Sequence, residues 1–200
     1  LNRFRIVFPL LCIVVAAGVG VLAFTSARPP ASASSTPLNL GGPFQMVDQT
    51  GRPADQGRLT GKWSAVFFGY TFCPDACPTT LQALAAVQDK LGARAKDFQI
   101  VFVTVDPARD TPEKMKTYLE TPGFPKGVLG LTGTPDQVAR IAKAYRVYYA
   151  KSGTGPDYSM DHSVITYLVD PHGHVVTVLG PTQTPDQLSA LIRKQMDGAT

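Results

Sequence analysis

The chain has 200 residues, enough for one domain of ordinary size plus an appendage, and a core of that size needs no disulfide staple. The charged fraction is 17% and the net charge +4, with Lys and Arg scattered along the sequence, which argues against a nucleic-acid-binding surface. Three cysteines are too few for a disulfide scaffold and direct attention to redox or metal chemistry.

Arg3 and Arg5 precede an almost uncharged apolar run from Ile6 to Phe24, about the length that crosses a bilayer as a helix. Arginines ahead of the run keep the N-terminus in the cytoplasm and send the remainder outward. The small residues Ala27 and Ala31-Ser32-Ala33 leave a cleaved signal peptide open, but the run exceeds a usual signal core. We therefore expect a transmembrane anchor over residues 1–27, with Cys12 as an apolar filler inside it. Residues 28–40, rich in Pro, Ala and Ser, read as a flexible linker, and 41–200 as the folded domain. That domain is expected outside the cytoplasm, where thiol pairs can be oxidised.

Within the domain, Phe44–Val47 reads as a short strand, and the turn Asp48-Gln-Thr-Gly51 opens a hairpin. Lys62–Phe68 is a buried strand, followed by Cys73, Cys77 and a helix to about Leu91. Phe98–Val105 is nearly continuous in β-branched and aromatic residues, the pattern of a strand covered on both faces. Thr111, Thr134 and Thr184 are each followed by Pro and an acidic residue, which predicts three capped helix starts. Val128–Leu131 and Arg146–Ala150 are further strands, and Lys151–Tyr158 a polar loop. Val164–Val169 and His174–Leu179 flank the tight turn Asp170-Pro-His-Gly173. This order predicts an α/β domain with a mixed sheet, and a thioredoxin-like fold fits it best.

Cys73 and Cys77 sit where the first core strand gives way to a helix. A helix N-terminus lowers thiol pKa values, and i, i+4 spacing sets both sulfurs on one face of a first helical turn. The pair can close a disulfide or grip one soft metal ion. His162 stands immediately before the Val164 strand, and in a thioredoxin-like topology that loop faces the cysteine turn. Two thiolates and an imidazole form a soft site, for which copper is the best match among common metals. Zinc usually asks for a fourth ligand. Asp161 is placed to orient the imidazole, and Asp75 to attract a cation or cap the helix. Met160 reads as packing, His172 and His174 as solvated turn residues. Asp106, Arg109 and Asp110 form a charged turn, either a salt-bridge cluster or a docking surface.

Tyr70-Thr-Phe-Cys-Pro-Asp-Ala-Cys-Pro78, Val103-Thr-Val-Asp-Pro-Ala-Arg-Asp-Thr-Pro112, Asp161-His-Ser163 and Tyr167-Leu-Val-Asp-Pro-His-Gly173 together resemble the Sco/SenC family of copper chaperones. The resemblance runs from about Phe44 to the C-terminus. It implies a thioredoxin-like domain holding copper, as Cu(I) or Cu(II), through Cys73, Cys77 and His162. It also implies delivery of copper from an upstream donor to the CuA site of cytochrome c oxidase subunit II. The location it implies is the bacterial inner membrane with the domain in the periplasm, or the mitochondrial inner membrane facing the intermembrane space. Family members are also linked to thiol–disulfide reduction of the subunit II cysteines, so an oxidoreductase in which His162 is incidental is the main alternative. A peroxiredoxin-like peroxidase is a weaker one: Cys77-Pro-Thr79 matches its turn, but Pro74 stands where that turn usually carries Thr.

Overall fold

Nine strands and four α-helices form among residues 39–198, the residues described by this computed structural model. In chain order these are β1 (Gln45–Asp48), β2 (Pro53–Asp55), β3 (Trp63–Gly69), α1 (Ala76–Leu91), β4 (Phe98–Thr104), α2 (Pro112–Leu119) and β5 (Leu129–Thr132). There follow α3 (Pro135–Ala144), β6 (Tyr149–Ser152), β7 (Ser159–His162), β8 (Thr166–Val169), β9 (Val175–Leu179) and α4 (Pro185–Gly198). The expected anchor, and the expected linker up to residue 38, lie outside the described residues. No helix among the described residues is long and apolar enough to cross a membrane.

The main sheet has the order β2-β1-β5-β4-β3-β8-β9. Strands β3, β4 and β5 are parallel, with Phe67 beside Phe102 and Val101 beside Leu129. Strands β1 and β8 join this centre antiparallel, so the sheet is mixed, as the order of elements predicts. Every residue of β3 is buried, and in β4 only Gln99 is partly exposed. That is why both runs are apolar without alternation. Helix α1 buries Cys77, Leu81, Leu84, Val87 and Leu91 along one stripe, so the cysteine heads the helix's core face. Gly130 of β5 admits α2 at close range, since a Cβ there would lie 2.6 Å from Met115 Cγ and 2.7 Å from Leu119 Cδ1.

The three predicted helix starts are real caps. Thr111 accepts from the Lys114 amide at 3.3 Å, and Thr134 and Thr184 do the same with Gln137 and Gln187 at 3.3 Å each. The glutamine side chains return the bond to the cap amides at 2.8 and 2.9 Å, completing two reciprocal capping pairs. In the N-terminal hairpin, burial pushes the Asp48 carboxyl upward. Hydrogen bonds from the Thr50 side chain and from the Thr50 and Arg52 amides outweigh it and hold the pKa at about 2.

One region departs from the sequence reading. The strand expected over Arg146–Ala150 starts only at Tyr149, because Arg146 takes a left-handed φ of 54° on leaving α3. Lys151 and Ser152, expected in a loop, pair with Met160 and Ser159. Strands β6 and β7 thus form a two-stranded sheet of their own. His162, expected in a loop entering the next core strand, is the last residue of β7, and that core strand begins at Thr166.

Candidate metal centre

The site is assembled where β3 ends. Gly69 closes the strand, Cys73 lies in the turn before α1, and Cys77 sits in the first turn of the helix. The metal-binding atoms of Cys73, Cys77 and His162 all lie within 4.8 Å of one another. Cys77 Sγ is 3.6 Å from His162 Nε2, and the Cys77 amide donates to Cys73 Sγ at 3.4 Å. Cys77 is fully buried, while Cys73 and His162 are half-buried. The expectation that both sulfurs ride on the first helical turn therefore holds for Cys77 alone. Cys73 reaches the same place by folding back over the helix start and accepting one of its free N–H groups.

Asp75 occupies the cap position, yet its side chain makes no cap hydrogen bond. It is exposed and accepts from Thr79 Oγ1 at 3.3 Å instead. The sulfur of Cys73 has taken the capping place. Gly69 explains why Cys77 fits beneath the strand end, since a Cβ there would lie 2.7 Å from Cys77 Sγ and 3.0 Å from the Phe102 ring.

The two thiols ionise unequally. A hydrogen bond from the Cys77 thiol is the largest influence on Cys73 and lowers its pKa. Burial opposes it, but the amides of Cys77 and Asp75 and the His162 side chain add to the lowering, to about 5. Cys77 is pushed up, first by donating to Cys73 and second by burial. At neutral pH the metal-free pair is one outer thiolate and one inner thiol, and a bound cation would displace the remaining proton.

The imidazole is oriented by its neighbour's backbone. His162 Nδ1 lies 3.1 Å from the Ser163 carbonyl oxygen, which can only accept, so Nδ1 carries a proton and Nε2 is the nitrogen that faces the thiols. Ser163 is itself fixed by its amide to Tyr148 O at 3.0 Å and by its Oγ, which accepts from the Tyr148 amide at 3.1 Å. Asp161, expected to orient the ring, does not do so. Successive residues of a strand point to opposite faces, which leaves Asp161 exposed while Met160 and His162 share the inner face. Met160 packs against the core, as expected. The Phe67 and Tyr70 rings meet the imidazole in edge-to-face fashion, at centroid distances of 6.4 and 5.8 Å.

The remaining candidates lie elsewhere. Phe67 pairs with Thr166 and Ser64 with Val169, so the β8–β9 turn carrying His172 and His174 is at the opposite end of β3 from the cysteines. Asp170 pins that turn by accepting from both histidine amides, at 2.9 and 2.8 Å. Asp110 is buried and accepts from Thr71 Oγ1 and Thr104 Oγ1 at 2.6 Å each and from the Thr71 amide at 3.1 Å. Burial pushes its carboxyl up against those hydrogen bonds. Gly69 and the Ser163 carbonyl escaped the sequence reading: a backbone oxygen leaves no residue-type signal, and the lone glycine before the cysteine turn was the only hint.

Residues 32–197 match the SCO1/SenC family. This chain is a member of that family. The chain is 40% identical over 163 residues to the mitochondrial protein SCO2 of Saccharomyces cerevisiae, covering 78% of this chain and 53% of that one. It spans about half the length of its mitochondrial relatives, 47% in the case of the Arabidopsis thaliana SCO1 homolog 1. The crystal structure of Arabidopsis thaliana ScoI with copper bound superimposes with a TM-score of 0.75 at 37% identity, covering 79% of this chain and 98% of that one. BsSco, a member of the Sco family of cytochrome c oxidase assembly proteins with a disulfide switch, gives 0.64 at 25% identity, covering 82% and 96%. The fold is thus the thioredoxin-like α/β arrangement expected from the order of elements. Two sulfurs and an imidazole nitrogen converging within 4.8 Å suit a soft ion such as copper.

Proposed function

We propose that this protein is a copper metallochaperone that carries its cargo on Cys73, Cys77 and His162 and delivers it to the CuA site of cytochrome c oxidase subunit II. The observation that carries the reading is the convergence of those three ligand atoms within 4.8 Å. Relatives of the same fold with copper bound support it. Two thiolates hold Cu(I) strongly, while a three-ligand site leaves room for a recipient's ligands to enter and exchange. Oxidation of the pair to a disulfide would remove both thiolates, so cargo retention and redox state are linked through the same sulfurs. We further propose that residues 1–27 anchor the chain in a membrane, with 28–40 as linker and 41–200 as the copper-binding domain. The domain would face the periplasm of a bacterium or the intermembrane space of a mitochondrion, receiving copper from an upstream donor.

A second reading is a thiol–disulfide oxidoreductase that reduces the subunit II cysteines. It is favoured by the lowered pKa of Cys73, a half-buried thiolate beside a protonated partner. Copper titration of the reduced protein separates the two. One tight equivalent with a thiolate-to-copper charge-transfer band, lost in His162→Ala, supports the chaperone. Absence of tight binding, with thiols exchanging rapidly in a glutathione buffer, supports the oxidoreductase.

A further inference from the structure

Among the described residues, the hairpin that carries His162 shares no backbone ladder with the main sheet, and β6 and β7 pair only with each other. Its free end is fastened by Arg109, in the turn between β4 and α2. The guanidinium carbon lies 3.6 Å from the centroid of the Tyr158 ring and 4.6 Å from that of Phe72. Tyr158 immediately precedes β7, and Phe72 immediately precedes Cys73. One cation is therefore held between a ring from each half of the metal centre, with the Tyr70 ring as a third neighbour at 5.8 Å. Arg109 Nε donates to Asp106 Oδ2 at 2.5 Å and Nη1 donates to the Pro156 carbonyl at 3.3 Å. Asp106, almost wholly buried, also accepts from the Tyr158 hydroxyl at 2.6 Å. Nη2 of Arg109 is buried without a hydrogen-bond partner among the described residues, and the aromatic faces are what surround the cation.

We infer that Arg109 is a positioning residue for the metal centre: by clasping Tyr158 to Phe72 and Asp106, it sets the angle of β7 and so holds His162 Nε2 against the two sulfurs. Tyr158 immediately precedes the four-residue strand that ends at His162, roughly 13 Å away along the extended chain, so fixing one end aims the other. Lysine cannot replace the arginine here, because it lacks both the planar face and the fork of donors. The inference rests on the copper reading of the site.

The test uses the full reduced chain and four variants: Arg109→Lys, Tyr158→Phe, His162→Ala and the Arg109→Lys/His162→Ala double. Cu(I) affinity is measured by competition with a chromophoric chelator. Hydrogen exchange of the β6 and β7 amides is measured separately in the metal-free proteins. Arg109→Lys should weaken Cu(I) binding by about 10- to 100-fold, the usual effect of removing a group that orients a ligand. The double variant should bind no more weakly than His162→Ala, because Arg109 acts through that histidine. The β6 and β7 amides should lose protection in Arg109→Lys while those of β3 and β4 keep theirs, and Tyr158→Phe should show a smaller change in the same direction. Unchanged affinity in Arg109→Lys, additive losses in the double variant, or equal loss of protection in β3 and β4 would overturn the inference. If the wild-type chain takes no Cu(I), the copper reading fails, and the exchange pattern still decides whether the clasp exists.

Discussion

Cys73 and Cys77 hold one proton between them at neutral pH, and the local geometry assigns it to the inner sulfur. The outer one gains the Cys77 thiol hydrogen bond and two helix-start amides, which outweigh its partial burial. Because its pKa is lowered to about 5, the reactive thiolate persists through neutral pH and is lost only as pH falls through that value. Alkylation of the reduced, metal-free protein by iodoacetamide should therefore modify Cys73 at a rate nearly constant from pH 8 to about 6.5 and falling steeply near 5. Cys77 should stay unmodified until denaturant is added, and peptide mass spectrometry of the labelled protein reads both. Gly69 is the second decisive residue. In Gly69→Ala the new methyl group would press on Cys77 Sγ and the Phe102 ring, costing about 1–3 kcal/mol in a urea denaturation curve. The same variant should bind copper more weakly, since the sulfur must shift to make room.

Among the elements, the junction between β3 and β4 is held by a carboxylate. Asp110 joins Thr71, at the start of the cysteine turn, to Thr104, at the end of β4. Asp110→Ala would leave the buried Thr104 hydroxyl and the half-buried Thr71 amide and hydroxyl without their acceptor and should cost about 2 kcal/mol or more, whereas Asp110→Asn keeps an acceptor and should cost less; chemical denaturation measures both. The elements legible in the sequence were those whose burial writes itself into residue type. Phe98–Val105 could be read as a doubly covered strand and Lys62–Phe68 as a core strand because, Lys62 and Gln99 apart, their residues are buried. The Thr-Pro starts at 111, 134 and 184 were legible because capping has a side-chain signature. Strand β6 was legible only in its first two residues and β7 not at all, because YAKS and SMDH are at most partly buried and neither offers an apolar face. The cysteine pair was legible from its motif, and His162 only through the topology assumed around it. Nothing in residue type shows that Ser163 contributes a carbonyl, or that a sulfur displaces Asp75 as the cap.

At the scale of the whole molecule, the metal-binding atoms come from segments 85 residues apart, Cys77 and His162, joined through the β3 end and a separate small sheet. A ligand that binds only this folded arrangement stabilises it by mass action, by about 4 kcal/mol at a free concentration a thousandfold above the dissociation constant. The thermal midpoint of the reduced protein should rise on Cu(I) loading. It should rise less in His162→Ala and not at all once the two cysteines are oxidised, and calorimetry in the presence of a copper buffer gives all three values. The unequal depth of the ligands also imposes a sequence on any hand-over. Cys77 lies under the sheet with no exposed surface, while Cys73 and His162 form the outer side of the site. An incoming ligand must therefore replace one of the outer two first, and the bond to Cys77 is the last to break. Release is stepwise from the rim inward, and an ion that has lost only one outer ligand can still fall back onto the protein that brought it.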